Sequence, residues 1–111
     1  MAIKYIVLPE SKTTIGVLHH TKYDCVRAIK KMLNGTGLSL ENEAKYYMPV
    51  FFKTQVTCDP LDEYDEEVGK QMVKEKLMRN YYDSLDKRLN VFKNSIVATM
   101  EEISRNFDES I

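Results

Sequence analysis

A chain of 111 residues with a hydrophobic share of 43% is large enough to bury one core and too apolar for a disordered segment. Its formal charge of -1 excludes a protein that coats nucleic acid by bulk charge alone. No stretch approaches the roughly 18 apolar residues of a membrane span and no secretory leader opens the chain, so the expected location is the cytoplasm.

Ala2 to Leu8 (AIKYIVL) is β-branched and aromatic and reads as a first, mostly buried strand. Pro9 to Lys12 make a turn, and Thr13 to His19 (TTIGVLH) form a second strand, antiparallel to the first because the connection is short. Gly16 in mid-strand marks either a bulge or a close backbone approach. Thr21 is placed as a helix N-cap, with Asp24 three residues on in the capping-box position. Cys25, Val26, Ile29, Met32 and Leu33 then share one helix face, and Asn34-Gly35 supplies the stop.

Thr36 to Tyr47 reads as a loop with one helical turn around Glu41 to Lys45. Val50 to Cys58 alternates, with Val50, Phe52, Thr54, Val56 and Cys58 on one side and Phe51, Lys53, Gln55 and Thr57 on the other, as in a half-buried third strand. After Gly69 neither glycine nor proline occurs, and apolar residues recur in steps of three and four from Val73 to Phe107. The expected architecture is a single α+β domain over residues 1–111, in the order β-β-α-β-α. Residues 1–58 supply a small antiparallel sheet of about three strands and the first helix; residues 59–111 supply an acidic loop and a long C-terminal helix.

From Asp65 to Phe107 a straight helix extends about 65 Å at 1.5 Å per residue, more than a head of this size covers. Either it breaks near Asn90 or Asn94 and folds back, or its distal half packs on another chain, as in a homodimer. The stripe from Val73 to Leu89 winds round the helix, which favours a bent or broken helix wrapped on the head.

The neutral total conceals a mosaic of charge. Asp59 to Gly69 hold six acids and no base, whereas Lys70 to Lys93 hold seven bases against three acids. The acidic cluster is Asp59, Asp62, Glu63, Asp65, Glu66 and Glu67. It admits three readings: a divalent metal site, a phosphate-mimicking patch that engages a partner protein, or caps and dipole complements at a helix start, with Asp62 and Asp65 as the candidate caps. The spacing lacks the central glycine and closing glutamate of a calcium loop, so no metal is expected. Lys70, Lys74, Arg79, Lys87 and Arg88, with Tyr81 and Tyr82 between them, have the residue types that contact single-stranded nucleic acid, or else form a solvated face.

His19, Cys25 and Cys58 match no zinc spacing, and no serine sits in a nucleophile context. Cys25 and Cys58 are expected as buried free thiols. No cofactor and no catalytic residues are assigned, and the chain reads as a binding protein. In the knot Tyr46, Tyr47, Met48, Phe51 and Phe52, half the side chains belong in the core, and the remainder make a contact patch for a partner if Phe51 and one tyrosine face outward.

The stretch Val56 to Lys70, with Cys58, Pro60, Asp62, Tyr64, Asp65 and Gly69, resembles a recurrent family of small bacteriophage and prophage proteins. Its members pair a strand ending in Cys-x-Pro-x-Asp-x-aromatic-Asp with a helix carrying a glycine four residues later. Lys4 to Pro9 and Tyr47-Met48-Pro49 are also similar, while Met72 and Val73 stand where the family has small residues. The resemblance implies a phage-derived accessory protein and brings no activity with it. The expectation is a non-enzymatic protein that binds a host protein or defence complex, in the manner of an anti-CRISPR inhibitor, in the cytoplasm of a bacterial host. The alternative is nucleic-acid binding through the basic part of the helix.

Overall fold

Three strands, β1 (Ile3–Leu8), β2 (Thr13–His19) and β3 (Phe51–Thr57), form an antiparallel sheet in the order β1-β2-β3 in a computed structural model that describes residues 2–110. The fold is α+β, as the sequence pattern implies. Register runs without interruption through Gly16, which lies between Tyr5 on β1 and Thr54 on β3. An unbroken register excludes the bulge reading. A Cβ at Gly16 would instead overlap Val73 Cγ1 on the long helix, so the glycine marks a close approach.

Helix α1 (Asp24–Leu33) and helix α2 (Glu66–Ser110) pack on one face of the sheet, with a single 3₁₀ turn at Glu43–Tyr46 between α1 and β3. The core joins Leu18 of β2, Cys25, Val26 and Ile29 of α1, Tyr46, Met48, and Leu77 and Tyr81 of α2. Edge-to-face aromatic pairs extend it at both ends: Phe52 with Tyr81 at 5.7 Å and Tyr46 with Phe92 at 5.8 Å. In the aromatic knot Tyr46 and Met48 are buried, Tyr47 and Phe52 half-buried, and Phe51 exposed.

Two local expectations are corrected. Thr21 does not cap α1. Tyr23 occupies the N-cap position without a side-chain bond, and the buried Thr21 hydroxyl donates to the Pro49 carbonyl. A buried hydroxyl takes the nearest unpaired acceptor, and that acceptor lies in the segment entering β3. Asp24 is likewise drawn into tertiary contact, accepting at Oδ2 from the Tyr81 hydroxyl at 2.7 Å and pairing through Oδ1 with Arg27.

The break near Asn90 or Asn94 does not occur: α2 is one helix of 45 residues. At about 1.5 Å per residue it spans roughly 68 Å, close to the longest molecular dimension in extents of 74 × 22 × 19 Å. Two exposed asparagines cost the helix only a few tenths of a kcal/mol each, up to about 0.7, too little to interrupt it. Gly69 packs on β2: a Cβ there would meet Thr14 Oγ1 at 2.5 Å.

Candidate functional site

The acidic loop joins β3 to α2 and is anchored from beneath by Lys12. That residue sits at φ 52 in the β1–β2 turn, and its carbonyl accepts from the Cys58 N–H at 2.8 Å. Its Nζ donates to the carbonyls of Pro60 at 3.0 Å and Asp62 at 2.5 Å. One cation thus gathers two carbonyls of a loop dense in carboxylates. Tyr64 adds a second anchor, its hydroxyl 2.6 Å from Thr14 Oγ1.

The six carboxylates divide by use. Asp65 is the N-cap of α2, with Oδ1 accepting from the N–H groups of Glu67 at 3.0 Å and Val68 at 3.3 Å. Asp59 closes the loop start by accepting from the Leu61 N–H at 2.9 Å. Glu66 pairs with Lys70 at 3.0 Å, and its hydrogen bond and charge hold the Lys70 ammonium above the usual lysine range. Asp62, Glu63 and Glu67 have exposed side chains with no hydrogen bond or ion pair among the described residues.

Next to Asp62 in the loop, Leu61 is 95% exposed. Behind the loop lies a groove of about 460 Å³, with Val56, Val68 and Met72 on its apolar wall and Asp59, Asp62 and Glu63 on its rim. Lys12 lines the same groove, and the groove's apolar side chains beside carboxylates suit a segment that carries both an apolar side chain and a cation.

The basic residues of α2 are not gathered into one surface. Arg88 is turned inward: Nε donates to the Tyr47 carbonyl at 2.8 Å and Nη1 to the Ser84 carbonyl at 3.0 Å. Lys70 is held by Glu66 and stands 6.0 Å over the Tyr5 ring. Lys74, Arg79 and Lys87 are exposed, but at about 100° per residue they point to three sides of the helix.

Among the described residues no group of three or more His, Cys, Asp or Glu side chains is placed to hold a metal ion. Cys25 and Cys58 are both free thiols. Cys25 is buried, which pushes its thiol up from the ordinary value, whereas Cys58 is only half-buried. No helix of the described residues is long and apolar enough to cross a membrane.

Two surfaces escaped sequence reasoning. The sheet face opposite the helices carries Ile6 and Phe51, 41% and 52% exposed, with Lys4 and Lys53 flanking Val17 in register. Its alternation was legible, but no sequence signal says which elements leave a sheet face uncovered. The other is Lys12, whose role depends on a contact 48 residues away along the chain. Comparison with protein-family models gave no match, and comparison with curated proteins and with solved structures gave none either.

Proposed function

We propose that this chain is a non-enzymatic, phage- or prophage-encoded binding protein that engages a host protein through the acidic loop. The observation that supports it best is Leu61, exposed next to the unpaired carboxylates of Asp62 and Glu63, which line a groove shared with Val68 and Met72. An apolar anchor ringed by charge is the arrangement of an interface centre. The partner surface it suits is basic with an apolar pocket or side chain, as on a host nuclease or a nucleic-acid-handling defence complex. Inhibition would follow from occupying that surface, as an anti-CRISPR inhibitor does. The scattered cations of α2 give the nucleic-acid reading less support than the sequence alone did.

Three surface changes test this without disturbing the loop's own bonds. Leu61→Ser with Asp62→Lys and Glu63→Lys leaves Asp59 and Asp65 in their capping roles. The tagged native chain is expected to enrich a discrete set of host proteins from bacterial lysate, and the triple variant to lose them while melting at an unchanged temperature. Equal capture by both chains would rule the loop out as the contact. Tight binding of labelled single-stranded DNA or RNA at about 50 mM salt, lost at about 200 mM, would favour the nucleic-acid reading instead.

A further inference from the structure

Past the head, α2 continues as an arm whose apolar face nothing covers. Leu85, Leu89, Phe92 and Ile96 are spaced four, three and four residues apart, and Ile96, Met100, Ile103 and Phe107 repeat that spacing. An eleven-residue period places both sets within about 40° of one line on the helix, because eleven residues at 100° overshoot three turns by only about 20°. The first set leans on the head, with Leu85, Leu89 and Phe92 packed against the core. The second emerges into solvent on the same line, with Met100 64%, Ile103 62% and Phe107 63% exposed. A solitary arm of this length is a marginal helix in water without a packed face.

We infer that the arm pairs antiparallel with the arm of a second copy of this chain. Ile96 lies opposite the second copy's Phe107, and Met100 opposite its Ile103. Two observations single out this occupant. The stripe is self-complementary about a point between Met100 and Ile103, as a two-fold contact requires. Charge sets the direction: the end of the arm carries Asp108 and Glu109, while Lys93 stands where the arm leaves the head. Antiparallel pairing brings these opposite charges together at both ends, and parallel pairing sets the two acidic ends side by side. The seam offers roughly 500 Å² per copy, about 1,000 Å² in all, which is at the lower limit for a specific interface.

Sedimentation equilibrium of the full chain from about 1 to 200 μM is expected to show a monomer–dimer equilibrium. Phe107→Asp is expected to weaken it at least tenfold without changing the thermal transition of the head, which Phe107 does not touch. Orientation is read in a Cys58→Ser background, with Cys25 buried. An equimolar mixture of Ile96→Cys and Phe107→Cys chains is expected to cross-link between the two variants on mild oxidation. A chain that stays monomeric at 200 μM overturns the inference. So does Phe107→Cys cross-linking to itself faster than to Ile96→Cys, because that is the parallel pair. A dimer unaffected by Phe107→Asp overturns it as well, by placing the contact elsewhere, such as on the open sheet face.

Discussion

Replacing Gly16 by alanine adds one methyl group at the place where α2 comes nearest the sheet. On the strand alone the change is favourable by about 0.5–1 kcal/mol, since alanine loses less backbone freedom than glycine on folding. The structure reverses that sign. The new Cβ overlaps Val73 Cγ1 and sits 3.5 Å from Leu77 Cδ2, and both neighbours are fully buried. Val73 cannot swing aside, because a β-branched residue in a helix has one strongly favoured side-chain rotamer. The helix must therefore lift or the strand bend, an overpacking cost of about 1–3 kcal/mol. The net expectation is a loss of about 1–2 kcal/mol, or several degrees in Tm for a chain of this size.

Urea unfolding followed by circular dichroism measures it, and Val73→Ala completes the cycle. Val73→Ala alone should cost about 2 kcal/mol through the cavity it leaves. In the double variant the Gly16→Ala methyl moves into that cavity, so the combined loss should fall short of the sum by about 1 kcal/mol or more. Additivity within about 0.3 kcal/mol, the limit for independent sites, would refute the claim that these two groups meet. A Gly16→Ala variant as stable as the native chain would refute it more directly.

Gly69→Ala should also destabilise, by about 1–3 kcal/mol, although helix propensity predicts a gain of about 1 kcal/mol; thermal melting decides the sign. The cause is Thr14, whose hydroxyl the new methyl would displace from the Tyr64 hydroxyl. Tyr81→Phe should cost about 1–2 kcal/mol by removing the hydroxyl that donates to Asp24. Burial first, then the bond to Asp24, raises the Tyr81 pKa above its ordinary value. The folded chain therefore keeps a proton that the unfolded chain releases from about pH 10. The stability this residue contributes is complete below that pH and declines above it, and a native chain no steeper than Tyr81→Phe in alkaline unfolding would contradict the assignment. Under native conditions an aromatic disulfide reagent should label Cys58 and leave the buried Cys25 unreacted until denaturant is added, and two equally fast thiols would count against the core described here.

What was legible in the sequence is what local pattern determines. Alternation located β3 to within a residue at each end, and the Thr13–His19 strand was readable because β-branched residues there are bounded by a turn. Thr21 shows where local reading fails. Its spacing to Asp24 has the form of a capping box, yet both side chains are taken by partners 28 and 57 residues away in sequence. The long helix was misread for a related reason. The excess length of α2 implied a fold-back only if its apolar face had to be covered by the same chain, and no residue in its interior compels a break. In the acidic loop the capping role of Asp65 could be anticipated from position, whereas the exposure of Leu61 and the reach of Lys12 depend on how the β1–β2 turn meets the loop.

The eleven-residue period of the distal helix fixes how its length can change. Inserting or removing one residue there turns everything beyond it by about 100° and points the apolar line away from its former direction. A duplication of eleven lengthens the arm by about 16 Å and turns it by only about 20°, so the line is preserved. Reach and facing are therefore separable properties of this chain. The gap spanned by the arm can be altered in whole repeats while the head, the acidic loop and the facing of the seam stay as they are.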